Sequence, residues 1–307
     1  MGYPHRRFSL LKRGVARLGK PQLGNMDVSI VIPFLDAAAT LPACLAGLQA
    51  QDDFDGEVEW IFVDNGSTDD SAKILRAHPR VRLLFESRPG AYAARNTGVA
   101  AATGGILAFI DPDCVPRQSW LRSLFEAMRQ PGVGVTLGVR RPTPDTGLNR
   151  MLGDYDTTRD EWALTSEEPT KCYGYTNNMG VTRAAWDRHG PFDDRSRGSD
   201  TIFVRRVVDG EGCTALAFVP AMIVSHLEMD GVATYLRKVF TYGRSMQSYR
   251  RVIAVRPLTL ADRLAVFRKT VHNECYGFLR ASTLAVLLAV GLWAWAIGRL
   301  SGYVMRK

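Results

Sequence analysis

Four short apolar runs in the first 110 residues each stop at a turn and give way to an amphipathic stretch, a β-then-α alternation that commits the chain to a sheet covered by helices. Ser29-Ile-Val-Ile-Pro33 reads as the first strand; Thr40 is placed to cap the next helix and Pro42 fits its first turn. Trp60-Ile-Phe-Val63 leads to Asp64-Asn-Gly-Ser-Thr-Asp-Asp-Ser71 and a helix through Ile74 and Leu75. Val81–Phe85 feeds the helix of Gly90-Ala-Tyr-Ala-Ala-Arg95-Asn96, and Ile106-Leu-Ala-Phe-Ile110 stops at Asp111-Pro-Asp113. Uninterrupted apolar runs suit strands buried on both faces of a parallel sheet. Pro112 has no amide proton, so the ladder should end at Asp111. Ligands of open α/β sheets bind beyond the carboxyl ends of the strands, so the acids in these turns are expected in one crevice.

The remaining chain is less periodic. Residues 140–170 read as polar and turn-rich, Tyr175–Thr182 and Gly190-Pro-Phe-Asp-Asp194 as pocket walls, and Asp200–Val208 as a helix. With 46% hydrophobic and 23% charged residues among 307, neither a disordered chain nor a many-span membrane protein is indicated. The five cysteines form no C-x-x-C pair, which points to neither a zinc ribbon nor a disulfide framework and suits a cytosolic catalytic part. No G-x-G-x-x-G follows the first strand, which disfavours a dinucleotide dehydrogenase.

The order SIVIP, VDNGSTDDS, GAYAARNTG, FIDPDC, NNMGVTR, GPFDD, GSDTIFVRR resembles the inverting, non-processive family-two glycosyltransferases of the GT-A fold, from about Asp27 to about His226. The resemblance implies a Rossmann-like α/β domain with a mainly parallel sheet, a UDP- or GDP-sugar donor and an Mn2+ or Mg2+ cofactor. It implies that Asp113, with Asp111 and His226, holds the ion, and that Pro33, Asp64, Arg95 and Asp111 lie against the nucleotide diphosphate. It makes Asp200 the base that takes the acceptor proton, with Ser199 standing where the family carries Glu. Asn177, Asn178 and Ser199 fall in the acceptor region. Chemistry alone leaves alternatives: Asp64 can cap its own turn, Arg95 can be a surface residue, Asp200 an N-cap and His226 a core histidine. Gln247-Ser-Tyr-Arg250-Arg251 has Arg where processive members carry Trp, which favours transfer of a single sugar.

Charge and hydropathy organise the ends. The net charge of +8 gathers in residues 1–25, with six Lys/Arg and no acid, and in 237–269. An anionic membrane surface suits such clusters better than nucleic acid, because an apolar helix follows the second. Phe8, Leu10, Leu11, Val15 and Leu18 can line a basic interfacial helix or belong to a disordered tail; the stretch is a poor secretory signal, and Met26 is an alternative start. Ala281–Gly298 is an uncharged apolar run at the short limit for a membrane span. Trp293, Trp295 and Tyr303 suit an interfacial belt; Arg268, Lys269 and Arg280 favour a cytoplasmic catalytic domain, whereas Arg299, Arg306 and Lys307 leave an interfacial helix open. A buried soluble helix is the alternative. The expected organisation is a basic extension (1–26), a GT-A domain (27–226), basic helices (227–279) and a membrane helix (280–307), attached to the cytoplasmic face as a single-pass or monotopic protein. The competing functions are a metal-dependent nucleotidyltransferase and an inactive membrane scaffold with a transferase fold. A glycan or lipid-linked acceptor fits the first reading.

Overall fold

The computed structural model describes residues 27–304 except 52, 53, 55, 195, 196, 250, 251 and 255. The expectations for the N-terminal extension, for Arg250 and Arg251, and for Arg306 and Lys307 lie outside the described residues.

The apolar runs form strands. β1 (Val28–Phe34), β2 (Val58–Asp64), β3 (Val81–Phe85) and β4 (Ile106–Ile110) lie parallel in the order β3-β2-β1-β4. Beyond β4 the sheet is mixed. β7 (Asn178–Thr182) is antiparallel to β4, β6 (Val135–Pro142) antiparallel to β7, β8 (Leu216–His226) parallel to β6, and the short β5 (Cys114–Pro116) antiparallel to β8. The order β3-β2-β1-β4-β7-β6-β8-β5 makes one sheet of eight strands, with four parallel strands at one end and a mixed half in which only β6 and β8 pair in parallel.

Alternate residues of each parallel strand feed opposite cores, as the two-residue period requires. Val31, Ile61, Val63 and Phe109 point to one face, and Ile30, Ile32, Trp60 and Phe62 to the other. α1 (Leu41–Gln49) begins with Pro42 in its first turn, but the Thr40 hydroxyl donates to Ala37 O at 3.2 Å and makes no cap bond. α3 (Ala91–Ala101) rides close on the sheet through Gly98, where an added Cβ would sit 2.4 Å from Val31 Cγ1. On that face Phe192 stacks against Phe109, Trp186 and Phe203 with ring centroids 5.0–5.4 Å apart. Phe192→Ala is therefore expected to lower the free energy of unfolding by about 3–5 kcal/mol. A denaturant midpoint that does not move would show that the aromatic cluster collapses around the cavity.

Residues 140–170 depart from the sequence reading. They contain an 18-residue helix, α5 (Gly147–Leu164), rather than turns. Its inward face is partly ionic: Asp154 and Asp160 are each 2% exposed and bind Arg141 and Arg140 at 2.5 Å. Buried carboxylates need such partners, and here they interrupt the apolar positions Met151, Leu152, Tyr155, Ala163 and Leu164 buried on the same helix.

α6 (Arg183–His189) and α7 (Ser199–Glu211) cover the sheet; α8 (Val232–Tyr249), α9 (Leu260–Asn273) and α10 (Phe278–Val304) follow it. α10 is the one helix among the described residues long and apolar enough to cross a membrane, with mean hydropathy 1.8 over Phe278–Gly302. It is nevertheless docked along its length. Leu284 is buried with Met151, Tyr155 and Val266. Farther along, Gly298 meets α8 so closely that a Cβ would stand 2.1 Å from Phe240 O, and Gly302 would meet Arg244 O at 2.8 Å. Its other face is a bare apolar stripe of Leu279, Val286, Val290, Trp293, Ile297 and Leu300.

Candidate active site

β2 ends at Asp64, whose Oδ1 accepts from the backbone of Gly66 (3.2 Å) and Ser67 (2.8 Å). The carboxylate thus closes its own turn, with one oxygen left for a ligand. The neighbouring Asn65 donates to Glu86 O and Arg88 O, and accepts from Gly90 N at 2.7 Å. Those bonds tie the turn to the start of α3, where Gly90 adopts φ +124°. Pro33 is buried opposite Val63 in β1.

α3 delivers Arg95, 4% exposed, to the end of β4, where its guanidinium binds Asp111. Its Nε is buried without a partner. One turn earlier on the same helix face, Tyr92 hydrogen-bonds Asp200. Tyr92 was not singled out from the sequence; its i, i+3 spacing from Arg95 was the available signal.

The turn after β4 brings together residues more than a hundred positions apart. β5 pairs with β8 so that Cys114 faces His226, and Leu227 N donates to Asp113 O at 2.8 Å. His226 Nδ1 consequently lies 3.2 Å from Asp113 Oδ2, too poorly aimed for a hydrogen bond. Burial pushes the Asp113 carboxyl up to about 7, with help from Asp111 and Glu228 and against Lys238. Burial, then Lys238 and Arg140, brings His226 down to about 3, so the imidazole is neutral. The Cys114 thiol is buried and pushed well above its ordinary value, which keeps it protonated.

Two ligands bound at right angles to an ion of Mg2+ type are about 3 Å apart. The Asp113 and His226 atoms match that separation, both are unburdened by strong hydrogen bonds, and Asp113, Cys114 and His226 each offer a ligand atom within 4.8 Å of the others. The donor set fits a small divalent ion. For His226 to present its Nδ1 lone pair, the ring proton must sit on Nε2. Lys238, whose Nζ is 3.2 Å from Nε2, must then turn elsewhere.

Asp200 is the second residue of α7, not its cap; Gly198 (φ +85°) holds that position. Its Oδ1 accepts from Thr201 N at 2.8 Å. Burial raises its carboxyl above the ordinary value, with Asp111 adding to the shift and Thr201, Tyr92 and Arg95 opposing it. Arg95, Asp111, Asn177 and Asp200 line a single cavity of about 860 Å3. The Asn177 Oδ1 there is buried without a partner.

Other expected residues lie elsewhere. Asn178 is fully buried away from the cavity, accepting from Trp120 Nε1 at 2.8 Å and donating to Val139 O and Met222 O at 2.9 Å. It brackets α4 (Trp120–Met128), β6 and β8. Ser199 is fully buried beside the cavity, with no hydrogen-bond partner for its hydroxyl. The Gly190–Asp194 turn is pinned by Asn96 to the backbone of Phe192 (2.9 and 3.1 Å) and lines a separate concavity with Arg88 and Arg206. Neither Asp64 nor Asp113 lines the 860 Å3 cavity that holds Asp200.

The family model described as glycosyl transferase family 2 matches residues 29–191, more than half of the chain. The glycosyltransferase AglE of Haloferax volcanii is 37% identical over 305 residues, covering 91% of this chain and 97% of that protein. A pre-mycofactocin glycosyltransferase of Mycobacterium tuberculosis is 35% identical over 72% of this chain, which spans 47% of that relative's length. Among solved structures, the mannosyltransferase PcManGT from Pyrobaculum calidifontis, in complex with GDP-Man and Mn2+, superposes with a TM-score of 0.65 at 18% identity, over 93% of this chain and 89% of that one. Glucosyl-3-phosphoglycerate synthase from Mycobacterium tuberculosis, in complex with Mn2+, UDP-glucose and phosphoglyceric acid, gives 0.54 at 20% identity over 76% and 81%. The structural likenesses carry the fold and the sequence matches carry the family: the chain belongs to the family-2 glycosyltransferases and has their GT-A fold.

Proposed function

We propose that the protein transfers one sugar, with inversion, from a nucleotide-diphosphate sugar to a hydroxyl of a lipid-linked or other membrane-proximal glycan acceptor. The observation that carries this reading is the single cavity in which Asp111 and Arg95, at the end of β4, meet Asp200, at the start of α7. Asp200 takes the hydroxyl proton while the oxygen bonds to the anomeric carbon. The bond from that carbon to the diphosphate breaks, and the nucleoside diphosphate leaves with the electron pair.

Asp113 and His226, with Asp111 alongside, would hold Mn2+ or Mg2+, whose charge would offset that of the leaving diphosphate. Lys238 displaced from His226 has the same diphosphate to turn to. Arg95 steadies Asp111 and keeps a buried, unpartnered Nε, and Asp64 and Pro33 border the nucleotide. The relatives' sugars, nucleobases and acceptors differ, so the donor is left at UDP- or GDP-sugar.

α10 supports attachment to a membrane lying flat rather than crossing. A helix fastened from Leu284 to Gly302 onto the catalytic body cannot leave that body on one side of a bilayer and exit on the other. Its bare stripe can instead enter the acyl boundary, with the catalytic part on the cytoplasmic face.

The test is a donor screen on membranes bearing the protein, following the nucleotide released. Nucleoside diphosphate is the expected product. Release of inorganic diphosphate would make the enzyme a nucleotidyltransferase, and no turnover with any donor would leave a scaffold.

A further inference from the structure

The cavity does not end at Asp200. Past a belt of tyrosines and arginines it continues between α9 and α10, where its wall becomes Leu264, Phe267, Leu288, Ala289, Leu292 and Trp295. This arm is open along its side, because Leu260, Leu264, Ala285, Ala289 and Leu292 are all exposed. Ala285 and Ala289 are one turn apart, and their small side chains leave the opening wide. The next positions around α10, Val286, Val290 and Trp293, belong to the bare stripe. The opening and the membrane-seeking face of α10 are therefore contiguous.

Charge changes along the same path. Two carboxylates line the cavity, Asp111 after β4 and Asp200 at the start of α7. Of the cations, Arg140, Arg159, Lys171 and Arg256 pair with acids that do not themselves line the cavity, Asp160, Asp156, Asp262 and Glu168. Arg197 and Arg263 have no carboxylate partner among the described residues. Arg263 donates to Leu258 O and stands over the Trp295 ring at 6.0 Å, and Arg197 precedes Asp200 by three positions. Two uncompensated guanidiniums facing a cavity select an anion between the base and the apolar arm.

A hydroxyl site, then an anion site, then an apolar trough open to the membrane describe one amphipathic molecule. We infer that the acceptor is a hydroxyl-bearing head joined through a phosphate or diphosphate to a long apolar chain. Arg197 and Arg263 hold the phosphate, and the chain lies in the arm beside α10, entering sideways from the bilayer. The site presupposes the transfer proposed above and names its acceptor class.

The test uses the full chain in uncharged-detergent micelles with a fluorescent farnesyl monophosphate, read by anisotropy. Dodecyl phosphate should displace the probe, and dodecanol or inorganic phosphate should each be at least about tenfold weaker competitors. Ala289→Trp, an exposed site where a large side chain does not disturb the core, should weaken the probe by about tenfold or more, and Ala285→Trp likewise. Arg197→Gln should weaken dodecyl phosphate and leave dodecanol unchanged. Equal displacement by dodecanol, indifference to both tryptophans, or equal competition by phosphatidylglycerol would overturn the site; the last would assign the arm to bulk lipid. Binding of nucleoside diphosphate with Mn2+ is measured on the same samples. If that binding is missing while the probe still responds to Ala289 and Arg197, the transferase reading fails and the lipid site stands.

Discussion

Asp200→Asn is expected to reduce transfer by about 10²–10⁴-fold, the range that positioned proton transfer contributes, while nucleoside diphosphate still binds with Mn2+. Asparagine keeps the size of the side chain and can keep the Thr201 and Tyr92 contacts, but it cannot take a proton. The fall should therefore lie in kcat more than in donor affinity. Burial and the nearby Asp111 raise the carboxyl, so the wild-type rate should begin to fall on the acid side at a higher pH than for a solvated aspartate. Stability should move the other way. A carboxyl raised on folding binds more protons folded than unfolded, so its contribution to stability declines as pH rises from the unfolded value through the folded one. At neutral pH the charge is a burden, and the asparagine variant should melt no lower than wild type. A variant that melts early would have lost its fold rather than its base, and normal turnover in a well-folded variant would refute the assignment.

How much of this was legible in the sequence follows from where each signal resides. The parallel strands were legible because burial on both faces leaves uninterrupted apolar runs, and Asp64, Asp111 and Asp113 stand where those runs stop. α5 was illegible because its buried side mixes Met151, Leu152, Tyr155, Ala163 and Leu164 with the ion-paired Asp154 and Asp160, which break the apolar periodicity. Adjacent residues entering a strand point to opposite sides. That is why Asn177 reaches the cavity while Asn178 joins the structural bracket with Trp120, a choice the pair of letters does not contain. Ser199 is similar: the residue before Asp200 turns inward at the start of α7. The Gly190–Asp194 turn reads as a pocket wall and is one, but of a different concavity, because Asn96 holds it outside the sheet end. The apolar arm depends on how α9 and α10 come to rest against α5, and no local period encodes that.

Asp113→Ala should abolish metal-dependent nucleotide binding, and the apoprotein shows why the loss can be separated from misfolding. With its carboxyl near 7, Asp113 is largely protonated at mildly acid pH and ionises at the cost of stability as pH rises from about 4 to about 7. An ion held by Asp113 and His226 requires that carboxylate deprotonated and the imidazole neutral, and His226, near 3, already is neutral across this window. Metal should accordingly release about one proton from the protein at pH 5.5 and much less at pH 7.5, and Mn2+ should raise the melting temperature more at pH 7.5 than at pH 5.5. Asp113→Ala should remove the Mn2+ response at both pH values. Without metal it should make the melting temperature less dependent on pH, since the buried carboxyl no longer ionises. The two readouts oppose one another in a way that simple damage to the fold does not reproduce: a damaged fold melts lower with and without the ion. A Mn2+ shift independent of pH and intact in the alanine variant would place the ion away from the junction of β5 and β8, and the carboxylate pair after β4 would then have to act on the nucleotide alone.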